Sequence, residues 1–272
     1  MASTPAPVAV LAAGGKTARA VLATLARRGV PARAATRKVA DLDTGAGLAE
    51  TLAGCAAVWL AVPNLHPDEP GLVARVLAAA HAAGVPRIVY HSVAWPYAPA
   101  MPHHLAKAQA EDAVRRSGLS FTILQPCVYA QNLLPQLASG HLVVPYSLDA
   151  RFAFVDLDDV AAATAAVLAD SAGPADGAVL AAGSVHDGAT YELGGPEPLS
   201  VREVAALAGV TAEEITPAVW AAGPGAGLPA GVRRGLLAMF ASYNRYGFPA
   251  GHAVLEMLIG RPATPVRNLL TR

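Results

Sequence analysis

The chain has 272 residues, enough for one large α/β core with a smaller lobe. Its 20 basic residues balance 20 acidic ones without forming a basic block, so nucleic acid is not expected as a direct partner. Hydrophobic residues make up 54% of the chain, but alanine inflates that figure and no uncharged apolar run reaches the roughly 20 residues of a spanning helix, so no membrane contact is expected.

The opening MASTPAPVAV carries no basic segment followed by a long apolar one, so no secretion signal is expected and the protein is placed in the cytoplasm. Cys55 and Cys127 stand singly within apolar runs, as reduced buried thiols do. No histidine shows metal-ligand spacing, and no metal is expected. The excess of Ala, Gly and Pro with few Lys suggests a GC-rich bacterial genome.

In chain order, Val8, Val10 and Leu11 suit a strand buried on both faces. Gly14 and Gly15 follow, and from Lys16 onward Ala18, Val21, Leu22 and Leu25 recur at helical spacing until Arg27, Arg28 and Gly29 supply a stop. Strand, glycine turn and helix make the first half of a dinucleotide site, where free N–H groups and the positive helix end meet a pyrophosphate. An ordinary buried βα unit has the same pattern. The three-glycine spacing falls on Ala12, Gly15 and Ala18. Ala18 still permits close packing, whereas Ala12 adds a methyl in the tight turn, where Gly14 can take over the unusual backbone angles.

Pro31 to Thr36 reads as a second strand ending on Arg37 and Lys38. Cations there would pair a ribose 2′-phosphate and favour NADP over NAD, or form a solvated basic loop. The segment KVADLDTGA is too short for a crossover helix plus a third parallel strand, so the sheet should be clipped at this edge, with a helical piece over Gly47 to Leu52. Ala56 to Val62 is a buried strand, and the proline-rich loop PNLHPDEP leads to a helix over Leu72 to Ala83. Arg87 to Val93 is the next strand and carries Ser92; His103 to Ser117 is helical, with Gly118 as its stop.

Ser120 to Cys127 is another strand, and Tyr129 to Leu137 begins a loop and helix. Phe152 to Val155 is strand-like, and the carboxylates of Asp156 to Asp159 can cap a helix over Val160 to Leu168. Ala178 to Leu193 can form one or two strands around SVHDG, and Ser200 with Glu203 makes a capping box for a helix to Leu207. From Ile215 onward Pro and Gly breaks alternate with short helices, including Arg233 to Tyr243 and His252 to Ile259, as in a lid over the carboxyl ends of the strands. The expected fold is a doubly wound, mostly parallel Rossmann-like α/β sheet with a clipped edge and a small C-terminal α/β substrate lobe. Its parts are a core over 1–150, a returning strand and helix over 151–170, and a lid lobe over 171–272.

The blocks VLAAGGKTARAV, AAGVPRIVYHSV, HLAKAQAEDAVRRSGLSFTILQPCVYAQNLL, FAFVDLDDVAAATAAVL, YELGGPEPLSVREVAAL and the closing IGRP together resemble the NmrA-like branch of the atypical short-chain dehydrogenase/reductases. Two departures stand out: Ala12 replaces the first glycine of the family's turn, and the segment after Arg37 lacks the family's second helix. The resemblance implies an NAD(P)-binding protein, NADP preferred, with Ala13, Gly14, Gly15, Lys16, Thr17, Arg37, Lys38, Val62 and Lys107 around the cofactor. Related reductases use a Ser, a Tyr and a Lys; Ser92 matches the Ser, Lys107 the Lys, and His103 stands at the Tyr position. Imidazole, with a pKa near ~6.5, exchanges a proton at neutral pH without the help a phenol near ~10 needs. His104 adjoins it as a further candidate, although both histidines also read as an exposed helix start and Lys107 as a solvated charge.

Trp95, Tyr97 and Tyr129, with Tyr90 and Asn132, are candidates for an aromatic substrate pocket, or plain core. The leading expectation is an NAD(P)-dependent oxidoreductase tailoring a small aromatic or quinonoid metabolite in bacterial secondary metabolism, polyketides among them. One alternative is a cofactor-independent oxygenase, such as a monooxygenase, or a cyclase on the same scaffold, with His103 or His104 as base. The other is a non-catalytic NmrA-type redox sensor. A homodimer is compatible with these residues.

Overall fold

A computed structural model of the chain describes residues 5–169 and 184–270. The chain divides into two compact units: Met1–Val93, Ala106–Gln125 and Ala161–Tyr191 form the first, and Ala94–Leu105, Pro126–Val160 and Glu192–Arg272 the second. The two are thus interleaved along the sequence.

In the first unit β1 (Val8–Leu11) leads into α1 (Lys16–Arg27), β2 (Ala32–Ala35), α2 (Leu48–Leu52), β3 (Ala57–Leu60), α3 (Glu69–Ala82) and β4 (Arg87–His91). Then come α4 (Pro102–Arg115) and β5 (Ser120–Pro126). The strands β1 to β5 pair in parallel, and with a later strand, β8 (Ala189–Leu193), they form a six-stranded sheet in the order β2-β1-β3-β4-β5-β8. Among the described residues β2 is the edge, so the sheet is clipped where the short segment after Arg37 predicted it. Helix α2 covers the gap: Leu48 and Leu52 are buried with Leu72, Val73 and Val76 of α3 against Leu11, Val58, Leu60 and Ile88. The alternate residues Val8, Val10, Trp59 and Val89 are equally buried, so the strands read as apolar runs because both faces are covered.

Helix α3 starts earlier than the periodicity suggested, and the reason is local. Asp68 accepts a hydrogen bond from the Gly71 N–H at 3.1 Å, and Pro70 sits in the first turn, where a missing N–H costs nothing. This places Glu69 inside the helix rather than in a loop. At the other end of the sheet Asp187 of the SVHDG turn accepts from the Ser120 hydroxyl and the Phe121 N–H, at 2.7 and 3.0 Å. Of the strand or strands expected over Ala178 to Leu193, β8 is found at Ala189–Leu193, and residues 178–183 lie outside the described residues.

The second unit contains α5 (Leu134–Ala138), β6 (His141–Val144) and β7 (Arg151–Phe152), after which α6 (Leu157–Ala169) returns the chain to the first. Following β8 come β9 (Leu199–Ser200), α7 (Val201–Ala208), β10 (Thr211–Glu214), α8 (Pro217–Ala222), α9 (Ala230–Tyr246) and α10 (Ala253–Ile259). The capping box of Ser200 and Glu203 is present. β10 pairs with β6 in parallel, and β7 with β9 antiparallel. Asp159, 1% exposed, anchors the closing IGRP block: it accepts from the Thr264 N–H at 2.6 Å, from the Thr264 hydroxyl at 3.0 Å and from the Arg261 guanidinium. Among the described residues no helix is long and apolar enough to cross a membrane.

The turn after β1 departs from expectation. Ala12 itself takes the left-handed conformation, with φ of 52°, and Gly14 does not take it over. The Gly15 N–H bonds back to the Ala12 carbonyl at 3.0 Å, and the Ala13 N–H to the Ala35 carbonyl at 3.0 Å, so the turn is fixed to β2 and leaves residue 12 no other choice. Relief of the Cβ strain outweighs the added freedom of glycine in the unfolded chain, so Ala12→Gly should raise stability by about 0.5–1 kcal/mol. Urea unfolding at constant m-value checks this; a fall in midpoint would refute the strain.

Candidate active site

The first unit's candidates other than Lys107, which is on α4, follow the carboxyl ends of the parallel strands, where ligands bind in doubly wound folds. The turn from Ala12 to Gly15 follows β1, Arg37 and Lys38 follow β2, Val62 follows β3 and Ser92 follows β4. Helix α1 begins at Lys16 with no side-chain cap from Gly15 and no acidic residue in its first turn. Its first N–H groups therefore point out as donors at the positive end of the dipole. A Cβ on Gly14 would meet nothing within 4 Å, and one on Gly15 only the Ala12 carbonyl at 3.5 Å. The protein itself does not need these two glycines for space, which fits a pyrophosphate lying against the backbone there, over Ala13, Gly14, Gly15, Lys16 and Thr17.

Arg37 is 77% exposed and bonds to the Asp43 carboxylate at 2.8 Å and to Asp41 at 3.4 Å. The Asp43 N–H, with Arg37 assisting, holds the Asp41 carboxyl below its usual range. Lys38 is exposed and Val62 buried.

Beneath this edge lie two carboxylates that the motif reading did not single out. Glu69, 3% exposed, accepts from the Tyr90 hydroxyl at 2.6 Å and from the Lys107 ammonium at 2.7 Å. Glu111, fully buried, accepts from the Ser92 hydroxyl at 2.6 Å and the Gln125 amide at 2.7 Å, and pairs with Arg115 at 3.1 Å. Tyr90 is therefore core and not pocket lining. Burial and the Glu69 charge push its hydroxyl well above the ordinary phenol range. His91, alongside, is held down to about 3 by burial and by the Lys107 charge, and stays neutral at working pH. Ser92 gives its one hydroxyl proton to Glu111, so in this arrangement it can accept from a ligand but not donate to one.

The histidine candidates belong to the second unit. His104 is 1% exposed, with Nδ1 2.9 Å from the Trp95 carbonyl. That contact selects the tautomer with the proton on Nδ1 and a lone pair on Nε2. The His103 ring stands edge-on to it at 4.5 Å. Trp95 is itself strained, with φ of 55°, a conformation bulky residues seldom adopt without surroundings that enforce it. Tyr97 is 65% exposed and Asn132 is also exposed, while Tyr129 is half-buried. Both cysteines are free and buried; burial pushes the Cys127 thiol up to about 12.

The network makes Ser92 a structural partner whatever else it does. Ser92→Ala removes one of the donors to a carboxylate sealed from water and should cost about 1–3 kcal/mol. Chemical denaturation measures it; an unchanged stability would show that Ser92 serves a ligand alone.

Comparison with known proteins agrees with this architecture. A reductase of Streptomyces griseus named for (4-alkanoyl-5-oxo-2,5-dihydrofuran-3-yl)methyl phosphate is 34% identical over 164 residues, covering 58% of this chain and 52% of the relative. An NAD(P)H azoreductase of Xenophilus azovorans is 28% identical over 185 residues, covering 66% of this chain and 59% of its own length. The chain thus matches little more than half of either relative. The crystal structure of an Escherichia coli NADPH-dependent quinone oxidoreductase in complex with NADPH superposes with a TM-score of 0.77 at 22% identity, covering 97% of this chain and 98% of the other. The NmrA-like family matches residues 5–247. With the clipped parallel sheet, the open glycine turn and that match in hand, the chain belongs to the NmrA-like family.

Proposed function

We propose that the protein is an NAD(P)H-dependent reductase acting on a small conjugated acceptor, aromatic or quinonoid, with NADP preferred over NAD. The observation that carries the reading is the uncapped start of α1 above an open Gly14–Gly15 turn at the carboxyl edge of a parallel sheet. The names of the similar proteins support it: each carries a conjugated electron acceptor, an azo bond, an acylated oxo-dihydrofuran or a quinone.

In this reading the turn from Ala13 to Thr17 lies against the pyrophosphate, with the Ala13 and Gly15 N–H groups spent on the Ala35 and Ala12 carbonyls and the positive end of α1 facing the anion. Arg37, with Lys38 beside it, receives the 2′-phosphate after giving up Asp41 and Asp43. Val62 supplies apolar contact. Lys107, aimed by its bond to Glu69, uses its remaining N–H donors on the nicotinamide ribose. The dinucleotide, when bound, supplies the hydride. Protonation of the substrate oxygen falls to His103, or to a water it orients, since Ser92 is engaged by Glu111. The pocket draws on Trp95, Tyr97, Tyr129 and Asn132. A tailoring role in bacterial secondary metabolism is the finer reading, supported by the Ala-, Gly- and Pro-rich composition.

Calorimetry with NADPH and NADH, followed by oxidation of the bound one in a panel of quinones, azo dyes and naphthols, tests the proposal. Absence of binding at millimolar concentration would end it. Gly14→Ala should leave the fold as stable as before or slightly more so yet weaken NADPH by at least tenfold, because the methyl occupies space the protein does not fill. Arg37→Ala should cost NADPH, and not NADH, about 1–3 kcal/mol.

A second reading, a cofactor-independent reaction with a histidine base, draws support from the same network: Ser92 and Lys107 are both engaged by carboxylates, whereas the Trp95 carbonyl fixes the His104 tautomer. There the His103→Ala/His104→Ala double variant should lose roughly 10²–10⁴-fold in turnover without dinucleotide. Undiminished turnover would dispose of it.

A further inference from the structure

The second unit holds a continuous run of packed rings. His104 lies 5.7 Å edge-on from Phe248, Phe248 stacks on Tyr243 at 5.4 Å, and Tyr243 meets Tyr146 edge-on at 5.6 Å. Tyr146 reaches Phe240 at 5.8 Å, and Phe240 reaches Trp220 at 4.8 Å. Phe152 touches both tyrosines, at 5.4 and 5.2 Å. Packing explains the rings. It does not explain why two of them carry hydroxyls.

Tyr243 is 6% exposed, yet neither its hydroxyl nor that of Tyr146 has a hydrogen-bond partner among the described residues. Buried tyrosines normally find one within the protein, and phenylalanine would pack as well. The nearby Cys127 thiol is already directed to the Phe248 carbonyl, at 3.2 Å. Neither phenolic oxygen is among the polar atoms sealed from solvent, so each opens onto accessible space while its ring is held in the cluster. Burial pushes Tyr146 up to about 12 and Tyr243 higher still, with Cys127 and Tyr146 adding to the latter. Both are thus protonated donors across ordinary pH, carried on rings that meet at 5.6 Å.

We infer that Tyr146 and Tyr243 form a polar subsite in the aromatic cluster, where their hydroxyls donate to an acceptor oxygen of a flat aromatic ligand such as a quinone carbonyl. The assignment of this ligand as substrate rests on the reductase reading; the subsite itself does not. A hydrocarbon of the same shape fills the aromatic contacts but leaves both donors unanswered, so the subsite selects for oxygen. Rejection of an analogue that lacks the hydrogen-bonding group is the strongest discrimination such a site achieves.

The test is calorimetric, on the full chain without dinucleotide, using anthraquinone-2-sulfonate and its ring-matched hydrocarbon anthracene-2-sulfonate. Wild type should bind the quinone at least tenfold more tightly. Tyr146→Phe and Tyr243→Phe should each lose about threefold to tenfold in quinone affinity, the value of one neutral hydrogen bond. Hydrocarbon binding should stay constant, and thermal midpoints should be equal to wild type or higher. Equal affinity for the two probes, no binding of either, an unchanged quinone affinity in the double variant, or a parallel loss for both probes with a lowered midpoint would each overturn the inference. NADPH titrated into the same samples separates the questions: its failure to bind removes the reductase reading and leaves the probe discrimination standing.

Discussion

Two carboxylates withdrawn from water set the terms for the sheet's carboxyl edge. A carboxyl group at 0–3% exposure is tolerable only if hydrogen-bond partners surround it, and meeting that demand fixes the neighbours of Glu69 and Glu111. Tyr90 of β4 and Lys107 of α4 turn to Glu69; Ser92, Gln125 and Arg115 turn to Glu111. Helices α3 and α4 are thereby tied to the strands by charge-assisted bonds as well as by Leu72, Val76, Ala110 and Val114. The Lys and Ser that the family resemblance singles out are members of this network, and their orientation is set by it. His91, beside Lys107, is kept neutral by the same electrostatics.

Above that edge the opposite condition holds. The first turn of α1 has no side-chain cap and no acidic residue, and the adjacent turn contains glycines the protein does not need for its own packing. Strain is accepted at Ala12 to bring the turn there, since the Ala13 and Gly15 N–H groups are both spent within the protein. The positive end of α1 favours an anion at this turn. Arg37 extends this polarity to the end of β2, although Asp41 and Asp43 temper it.

The second unit follows a different rule. Asp159 fastens the closing segment through Arg261 and Thr264, which gives the IGRP block a physical reason for its place beside the DLDD segment. Around that anchor the rings of Phe152, Phe240, Tyr243 and Phe248 supply the core. Where a ring carries a hydroxyl with no answer inside the protein, packing alone no longer accounts for it.

The local sequence determined the elements whose cause is local. Helix α1 runs from Lys16 to Arg27 and the capping box stands at Ser200 because periodicity and capping act within a few residues. The clipped sheet followed from chain length alone, nine residues being too few for a crossover. The early start of α3 needed only Asp68 and Pro70, and was legible in principle. Tertiary structure decided the rest. β6 and β10 pair in parallel across 70 residues, His141 opposite Thr211, and the TAEE segment of β10 carries no strand signal of its own. Glu69 and Lys107 are 38 residues apart, and Lys107 with Glu111 on its own looks like a surface pair at helical spacing. Only the fold seals them together, because burial is a property of what covers a side chain and not of the residues beside it in the chain.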